Sequence, residues 1–156
     1  MERMTVADIS ALTPGKATLS LLMNDKGGIV DDCIITKVTE TEFFVVLNAG
    51  CVDKDVAHIT KYRDQDFKDV LIEQNHKNAL VAIQGPKAMS LVEDILSKDL
   101  KQMDFMTSEV IQYKGKDLRV SRCGYTGEDG FELSIPGDIV IDFVDTLQSK
   151  KDADSE

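Results

Sequence analysis

The sequence predicts an α+β protein made mostly of antiparallel sheets with flanking helices. Three observations carry this. Short β-rich runs follow one another through tight turns, as between KATLSLLM at 16–23 and IVDDCIITKV at 29–38. Helical periodicity is confined to a few segments between those runs. An apolar share of 42% beside a charged share of 29% fits a folded globular chain rather than a disordered one.

The elements follow in order. NDKGG, after the first strand, combines Asn, Asp and paired Gly, the residues a chain reversal needs. The return strand at 29–38 and a third at 42–48, EFFVVLN, complete a meander. Residues 51–63 read as a helix with Val52, Val56 and Ile59 on one stripe. Two short β-rich runs come next, at 68–73 and 78–83. Gly85-Pro86 opens a second helix, with Pro at a first position where its missing N–H costs nothing. Ala88, Leu91, Val92, Ile95 and Leu96 form its core-facing side. Strands at 107–113 and 117–123 turn at Lys114-Gly115. The loop GYTGEDG at 124–130 leads into FELSI at 131–135. Ile139, Val140, Phe143, Val144 and Leu147 mark a last helix, and SKKDADSE is a polar tail that frays or links. The polar stretch DQDFKDVLIEQNHK at 64–77 divides the chain, with residues 1–71 in one lobe and 72–156 in a second.

Charge and composition narrow the function. A net charge of −10 repels phosphate backbones, so nucleic acid is not expected as a partner. The apolar runs are far shorter than the roughly 20 residues of a membrane span. Cys33, Cys51 and Cys123 form no CxxC pair, so neither a disulfide framework nor a zinc site is indicated, and no metal is expected. Cys33 and Cys123 fall in strands as buried thiols. His58 and His76 are isolated and read as exposed residues rather than catalysts.

The candidates for chemistry are carboxylates. Asp31 and Asp32 are adjacent in a strand and leave it on opposite faces, which excludes a paired-carboxylate dyad. Asp32 shares its face with Val30, Ile34, Thr36 and Val38. A carboxylate in an apolar strand is either a strand-end group near the turn or an acid, base or ligand anchor in a cleft. In the second half, three glycines within GYTGEDG let backbone approach a neighbour or ligand closely. Tyr125 stands inside that loop. Glu132 lies opposite Phe131, Leu133 and Ile135, so it faces solvent or a cleft. The loop itself is either a plain hairpin closed by Asp129-Gly130 or part of a site.

Beyond this the residues are read through a resemblance. VADISALTPGKATLSLL, NDKGGIVDDCIITKV, FFVVLNAGCVDKD, ALVAIQGPKA, FMTSEV and SRCGYTGEDGFELSIP together resemble aminomethyltransferase, the T-protein of the glycine cleavage system. The resemblance runs along nearly the whole chain. A related iron–sulfur maturation protein carries a KGCYxGQE motif, which is absent. The resemblance implies transfer of the methylene of aminomethyl-lipoyl H-protein to tetrahydrofolate, with release of ammonia. It implies Asp32 as the catalytic carboxylate, and Asn48, Tyr125 and Glu132 as folate-pocket residues. It implies tetrahydrofolate as the one-carbon acceptor and the lipoylated H-protein as partner. An aromatic found in bacterial members is Leu at position 19 here. The family's N-terminal DFxGWxMP-like motif and its C-terminal half have no counterpart, so the chain reads as an internal portion not expected to act alone. The alternative is a non-catalytic folate-binding or interaction module. The RCGYTGEDG form resembles eukaryotic members and points to the mitochondrial matrix, with bacterial cytoplasm as the alternative.

Overall fold

In the computed structural model, which describes residues 1–153, two antiparallel sheets and three helices make an α+β architecture, as predicted. The chain divides into two units, Met1–Gln74 and Asn75–Glu156.

The first unit is a meander of β1 (Ala17–Met23), β2 (Ile29–Lys37) and β3 (Phe43–Leu47), followed by a short 3-10 turn, Ala49–Cys51, and helix α1 (Val52–Asp66). The β1–β2 reversal closes on Asn24, whose side-chain oxygen accepts the N–H groups of Lys26 and Gly28 at 2.9 and 3.0 Å. Gly27 supplies the φ of +77° that this turn requires. α1 anchors the turn from outside, since Tyr62 donates its hydroxyl to Asp25 at 2.8 Å. The small core gathers Ile9, Leu22, Cys33 and Ile35, with Val45, Leu47 and Ile59 against it.

The β1–β2 register is regular from Ala17↔Thr36 to Leu22↔Asp31, then jumps to Met23↔Ile29. Val30 is therefore an extra residue, a bulge next to the two aspartates. Bulges re-aim the side chains beside them. Strict alternation would put Ile29 on the face of Cys33 and Ile35, yet it is 64% exposed, because the bulge breaks the alternation before it.

The second unit orders its strands β4-β7-β6-β5, all antiparallel: β4 (Asn78–Gln84), β5 (Thr107–Tyr113), β6 (Lys116–Arg122) and β7 (Gly130–Pro136). Helices α2 (Ala88–Leu96) and α3 (Val140–Ala153) supply apolar faces to the same core. Phe131, Leu133 and Ile135 of β7 are fully buried in it, with Val120, Leu118, Val92 and Phe143. Tyr113 meets the Phe143 ring edge-on at 5.3 Å. The β5–β6 turn falls at Lys114-Gly115, both with positive φ (49° and 77°), the two-residue hairpin geometry that suits strand twist.

Several expectations change. Residues 68–73 form no strand, and Val70 and Leu71 are 49% and 79% exposed. β-rich composition without a partner strand forms no ladder. Pro86 is not the first helical residue, because α2 starts at Ala88 behind a turn in which the Ala88 N–H donates to the Gly85 carbonyl. The inner face of α1 is not only apolar, for its buried residues are Asp55 and Tyr62. His58 is half-buried rather than exposed. Its Nε2 lies 3.0 Å from the Met23 carbonyl and its ring stands edge-on to Tyr62. The tail is helical through Ala153, and residues 154–156 lie outside the described residues.

Two leucines on one sheet test this core. Leu133→Ala, at a fully buried site, is expected to cost about 2–5 kcal/mol. Leu80→Ala, at a site 48% exposed, should stay within about 0.5 kcal/mol. Urea unfolding followed by far-UV circular dichroism reads both, and equal losses would reject the assigned sheet faces.

Candidate functional site

The first cluster grows from the β2–β3 register. Cys33 pairs with Leu47, so Asn48, one residue past the ladder, arrives opposite Asp32. Its amide nitrogen donates to Asp31 Oδ1 at 2.8 Å and to Asp32 Oδ1 at 2.9 Å. The opposite-face reading did not foresee this shared donor. The carboxylates do leave the strand on different sides, with Asp31 toward the buried face and Asp32 exposed. At the bulged strand end, a single NH₂ group reaches both.

The two carboxylates are in different states. Asp31 Oδ1 accepts Asn48 and the Asp32 backbone N–H at 2.9 Å, Oδ2 accepts Lys54 Nζ at 2.9 Å, and the Cys51 thiol donates to the same group. Those donors fill the roughly four lone-pair sites of a carboxylate. The Cys51 thiol, then Lys54 and Asn48, hold Asp31 well below the usual carboxylate range. Cys51 in turn is raised, chiefly because its proton is committed to Asp31. Asp32 is bonded through Oδ1 alone among the described residues, so Oδ2 is uncommitted.

Below this pair, Asp55 is 0% exposed, and neither carboxyl oxygen has a hydrogen-bond donor among the described residues. Lys54 Nζ is 3.6 Å away. Burial pushes the Asp55 carboxyl up, and the Asp31 charge adds to that.

The second cluster is the β6–β7 hairpin. Arg122 forms a two-pronged pair with Asp129, Nε to Oδ1 at 3.0 Å and Nη2 to Oδ2 at 2.8 Å, and donates Nη1 to the Met103 carbonyl at 2.6 Å. The planar fork matches a carboxylate and fixes the loop ends. Asp129 is lowered by Arg122 accordingly. Beneath the loop, Gln84 Nε2 donates to the Cys123 carbonyl at 3.2 Å and the Phe131 carbonyl at 3.5 Å. A Cβ on Gly124 would lie 1.9 Å from Gln84 Oε1, and one on Gly130 2.3 Å from Gln84 Nε2. The glycines therefore admit a side chain from β4 rather than free the loop.

Tyr125 projects from this loop, 76% exposed. Glu132 is 9% exposed, so of solvent and an enclosed setting the structure selects the second. Its strand lies between β4 and β6, beside Ala82 and Ser121. Burial raises the Glu132 carboxyl, and the Cys123 thiol, donating to it, partly offsets that. Cys123 itself is pushed up to about 12, by burial first and then by Glu132. Cys33 is likewise buried and pushed up to about 11. Neither is a reactive thiol.

The structure thus joins Asp32 to Asn48 directly and sets Tyr125 and Glu132 on one hairpin without a bond between them. Sequence reasoning missed Asp31 as the saturated partner, and Cys51, Lys54, Asp55 and Gln84. VDKD at the start of α1 looks like ordinary solvated helix charge. Only the register that brings Asn48 to Asp32 shows otherwise. Among the described residues no group of His, Cys, Asp and Glu is placed to hold a metal, and no helix is long and apolar enough to cross a membrane.

Comparison with known proteins gives concordant matches. The family model described as the GCVT N-terminal domain matches residues 1–154. The mitochondrial aminomethyltransferase of Flaveria trinervia is 39% identical over 156 residues, covering 97% of this chain and 38% of its own length. The probable mitochondrial aminomethyltransferase of Schizosaccharomyces pombe is 40% identical over 148 residues, covering 94% and 38%. The crystal structure of glycine cleavage system aminomethyltransferase T from Bartonella henselae superposes with a TM-score of 0.76 at 31% identity, over 92% of this chain and 38% of that one. The chain spans 38% of the length of these relatives.

The close approach at Gly124 yields a double-mutant cycle. Gly124→Ala should displace the Gln84 amide and lose about 0.5–1.5 kcal/mol for each hydrogen bond broken. With Gln84→Ala already in place the same change should cost little, a coupling of about 0.5–3 kcal/mol. Additive losses in denaturant titrations would show that Gln84 does not fill the space under the loop.

Proposed function

Because the chain belongs to the aminomethyltransferase family through its GCVT N-terminal domain, we propose that it serves the folate-dependent transfer step of glycine cleavage. In this reading the methylene of aminomethyl-lipoyl H-protein passes to tetrahydrofolate. The carbon breaks its bonds to sulfur and to nitrogen and forms two bonds to folate nitrogens. The protons those nitrogens give up leave on ammonia and on the lipoyl thiol.

The observation that supports this reading most is the asymmetry of the aspartate pair. Asp31 is saturated and Asp32 is exposed, held through Oδ1 with Oδ2 uncommitted. A carboxylate fixed in direction but with a free oxygen suits a group that must take a proton, or offset positive charge, as a folate nitrogen attacks. Asn48 orients it. Glu132 is the carboxylate for the pterin edge, where two parallel N–H donors can meet it. Tyr125 presents an exposed ring for packing on the folate. The names of the mitochondrial relatives support a mitochondrial location, read here as the matrix.

The test grafts residues 1–156 in place of the matching region of the Bartonella henselae protein and supplies tetrahydrofolate and aminomethyl-loaded H-protein. Asp32→Asn should lower turnover by about 10²–10⁴-fold, the usual contribution of such groups. Folate affinity should change by less than about tenfold, because an amide keeps the carboxylate's shape. A folded graft that turns over equally well with Asn at 32 would remove Asp32 from the chemistry. Folate binding without any transfer would favour a binding module instead.

Glu132→Gln separates binding from stability. A raised carboxyl contributes stability fully below its unfolded value and loses that contribution as pH rises through its folded value. At neutral pH the Gln variant should therefore melt no lower than the parent. Yet it should bind tetrahydrofolate roughly 10- to 150-fold more weakly, from about 1.5–3 kcal/mol of charge-assisted bonding. Calorimetry giving an unchanged Kd would exclude Glu132 from the pocket.

A further inference from the structure

Asp32 is oriented by one amide, and that amide is oriented by something deeper. Asn48 Nδ2 shares its donors between Asp32 and Asp31, so its direction depends on where Asp31 stands and on its charge. Asp31 points toward an apolar core of Leu22, Cys33 and Ile35, where an unpaired carboxylate would take up a proton. The cation that faces it is Lys54. Its ammonium donates to Asp31 Oδ2 at 2.9 Å and to the Val30 carbonyl at 2.7 Å, with Asp55 at 3.6 Å. Val30 is the bulge residue, outside the strand register. One side chain from the first turn of α1 thus ties both the bulge and the carboxylate that follows it.

We propose that Lys54 is a positioning residue for Asp32, acting through Asp31 and the Asn48 amide. This rests on Asp32 being the carboxylate that meets the substrate. Lys54 touches no reacting group. It holds Asp31 ionised and in place, Asp31 accepts one N–H of Asn48, and the other N–H is left for Asp32. The Lys54 side chain is 50% exposed, so its pull on Asp31 is partly screened. The bond to the Val30 carbonyl is not a charge–charge contact and keeps the ammonium in place at high salt. The other titratable groups facing the cluster are Cys51 before α1, Asp55 on α1 and Cys33 on β2, and none of them is a cation. Neutralising Lys54 would therefore leave Asp31, Asp32 and Asp55 without a fixed counter-charge in this network.

The sign of the pH effect follows. Asp31 is depressed in the folded chain, so the stability it contributes is complete above its unfolded value and disappears as pH falls through its folded value. When it takes a proton, its Oδ atoms no longer hold Asn48 as a charged acceptor would, and Asp32 loses its orientation with it.

The experiment uses the 156-residue chain, labelled with carbon-13 and nitrogen-15, and follows the Asp31 and Asp32 carboxyl carbons and the Asn48 side-chain amide protons by NMR across pH. Lys54→Met should raise the Asp31 midpoint by about 1–3 pH units, the range for loss of an adjacent opposite charge. It should also erase the protection of the Asn48 amide protons. Lys54→Arg, which keeps the charge, should restore most of both. A merely structural lysine would move the melting temperature and the Asp31 midpoint while leaving the Asn48 amide protons and the Asp32 carboxyl carbon unchanged. A folded Lys54→Met chain with Asp31 and Asn48 unchanged would overturn the proposal. If Lys54→Met does not fold, Lys54→Gln, which keeps a donor without the charge, takes its place, and an Asn48 amide unmoved in that chain would overturn the proposal too. No transfer assay enters this readout. Turnover insensitive to Asp32→Asn would sink the functional reading and leave the relay as a structural linkage only, whereas an unmoved Asn48 would sink the relay and leave the functional reading standing.

Discussion

A carboxylate turned toward a hydrophobic core is the constraint around which the first unit is organised. Asp31 can stay ionised there only if donors replace the water it has lost. The fold supplies them from four places. β3 ends where it does so that Asn48 falls beside the strand end. The 3-10 turn presents the Cys51 thiol. α1 begins with Lys54 in reach. The backbone N–H of Asp32 completes the set. Asp31 and Asp32 still leave β2 on different sides, and the β2–β3 register gives them a common neighbour by bringing Asn48 opposite Asp32.

The second unit meets a similar demand by different means. Glu132 lies on a strand buried along both faces, and its relief comes from a thiol rather than a cation. Such a carboxyl is less costly neutral than charged, which a stability-driven design would replace with Gln. The Arg122–Asp129 fork, in contrast, is a fastening. It closes the loop from which Tyr125 emerges and leaves the ring outside.

The fold was legible in the sequence where pattern reports burial directly. The β7 alternation Phe131, Leu133, Ile135 and the α2 stripe Ala88, Val92, Ile95, Leu96 fall where periodicity put them. The Lys114-Gly115 turn did too, since two positive φ angles favour that chemistry. Pattern failed where a polar residue sits inside. Asp55 and Tyr62 belong to the inner face of α1, but a periodicity count passes over an aspartate. At 68–73, β-formers had no partner strand, and propensity without pairing produces a loop. For the candidate site, Asp32 and Glu132 were singled out by being carboxylates in apolar strands. The bridge through Asn48 was not visible, because it depends on the β2–β3 register, which leaves no mark in composition.

The Gln84 side chain beneath the β6–β7 hairpin has a consequence for how this chain can change over evolutionary time. Three positions that are far apart in sequence, 84, 124 and 130, share one volume. A glycine at 124 or 130 that changes to alanine first must displace the Gln84 amide, since the new methyl group would enter space it holds. Shortening residue 84 first opens the space, but it leaves the Cys123 and Phe131 carbonyls without their donor. Either order passes through a weakened intermediate. The triplet is therefore expected to be inherited as a block, and the loop carrying Tyr125 is held in shape by a strand that lies some forty residues earlier in the chain.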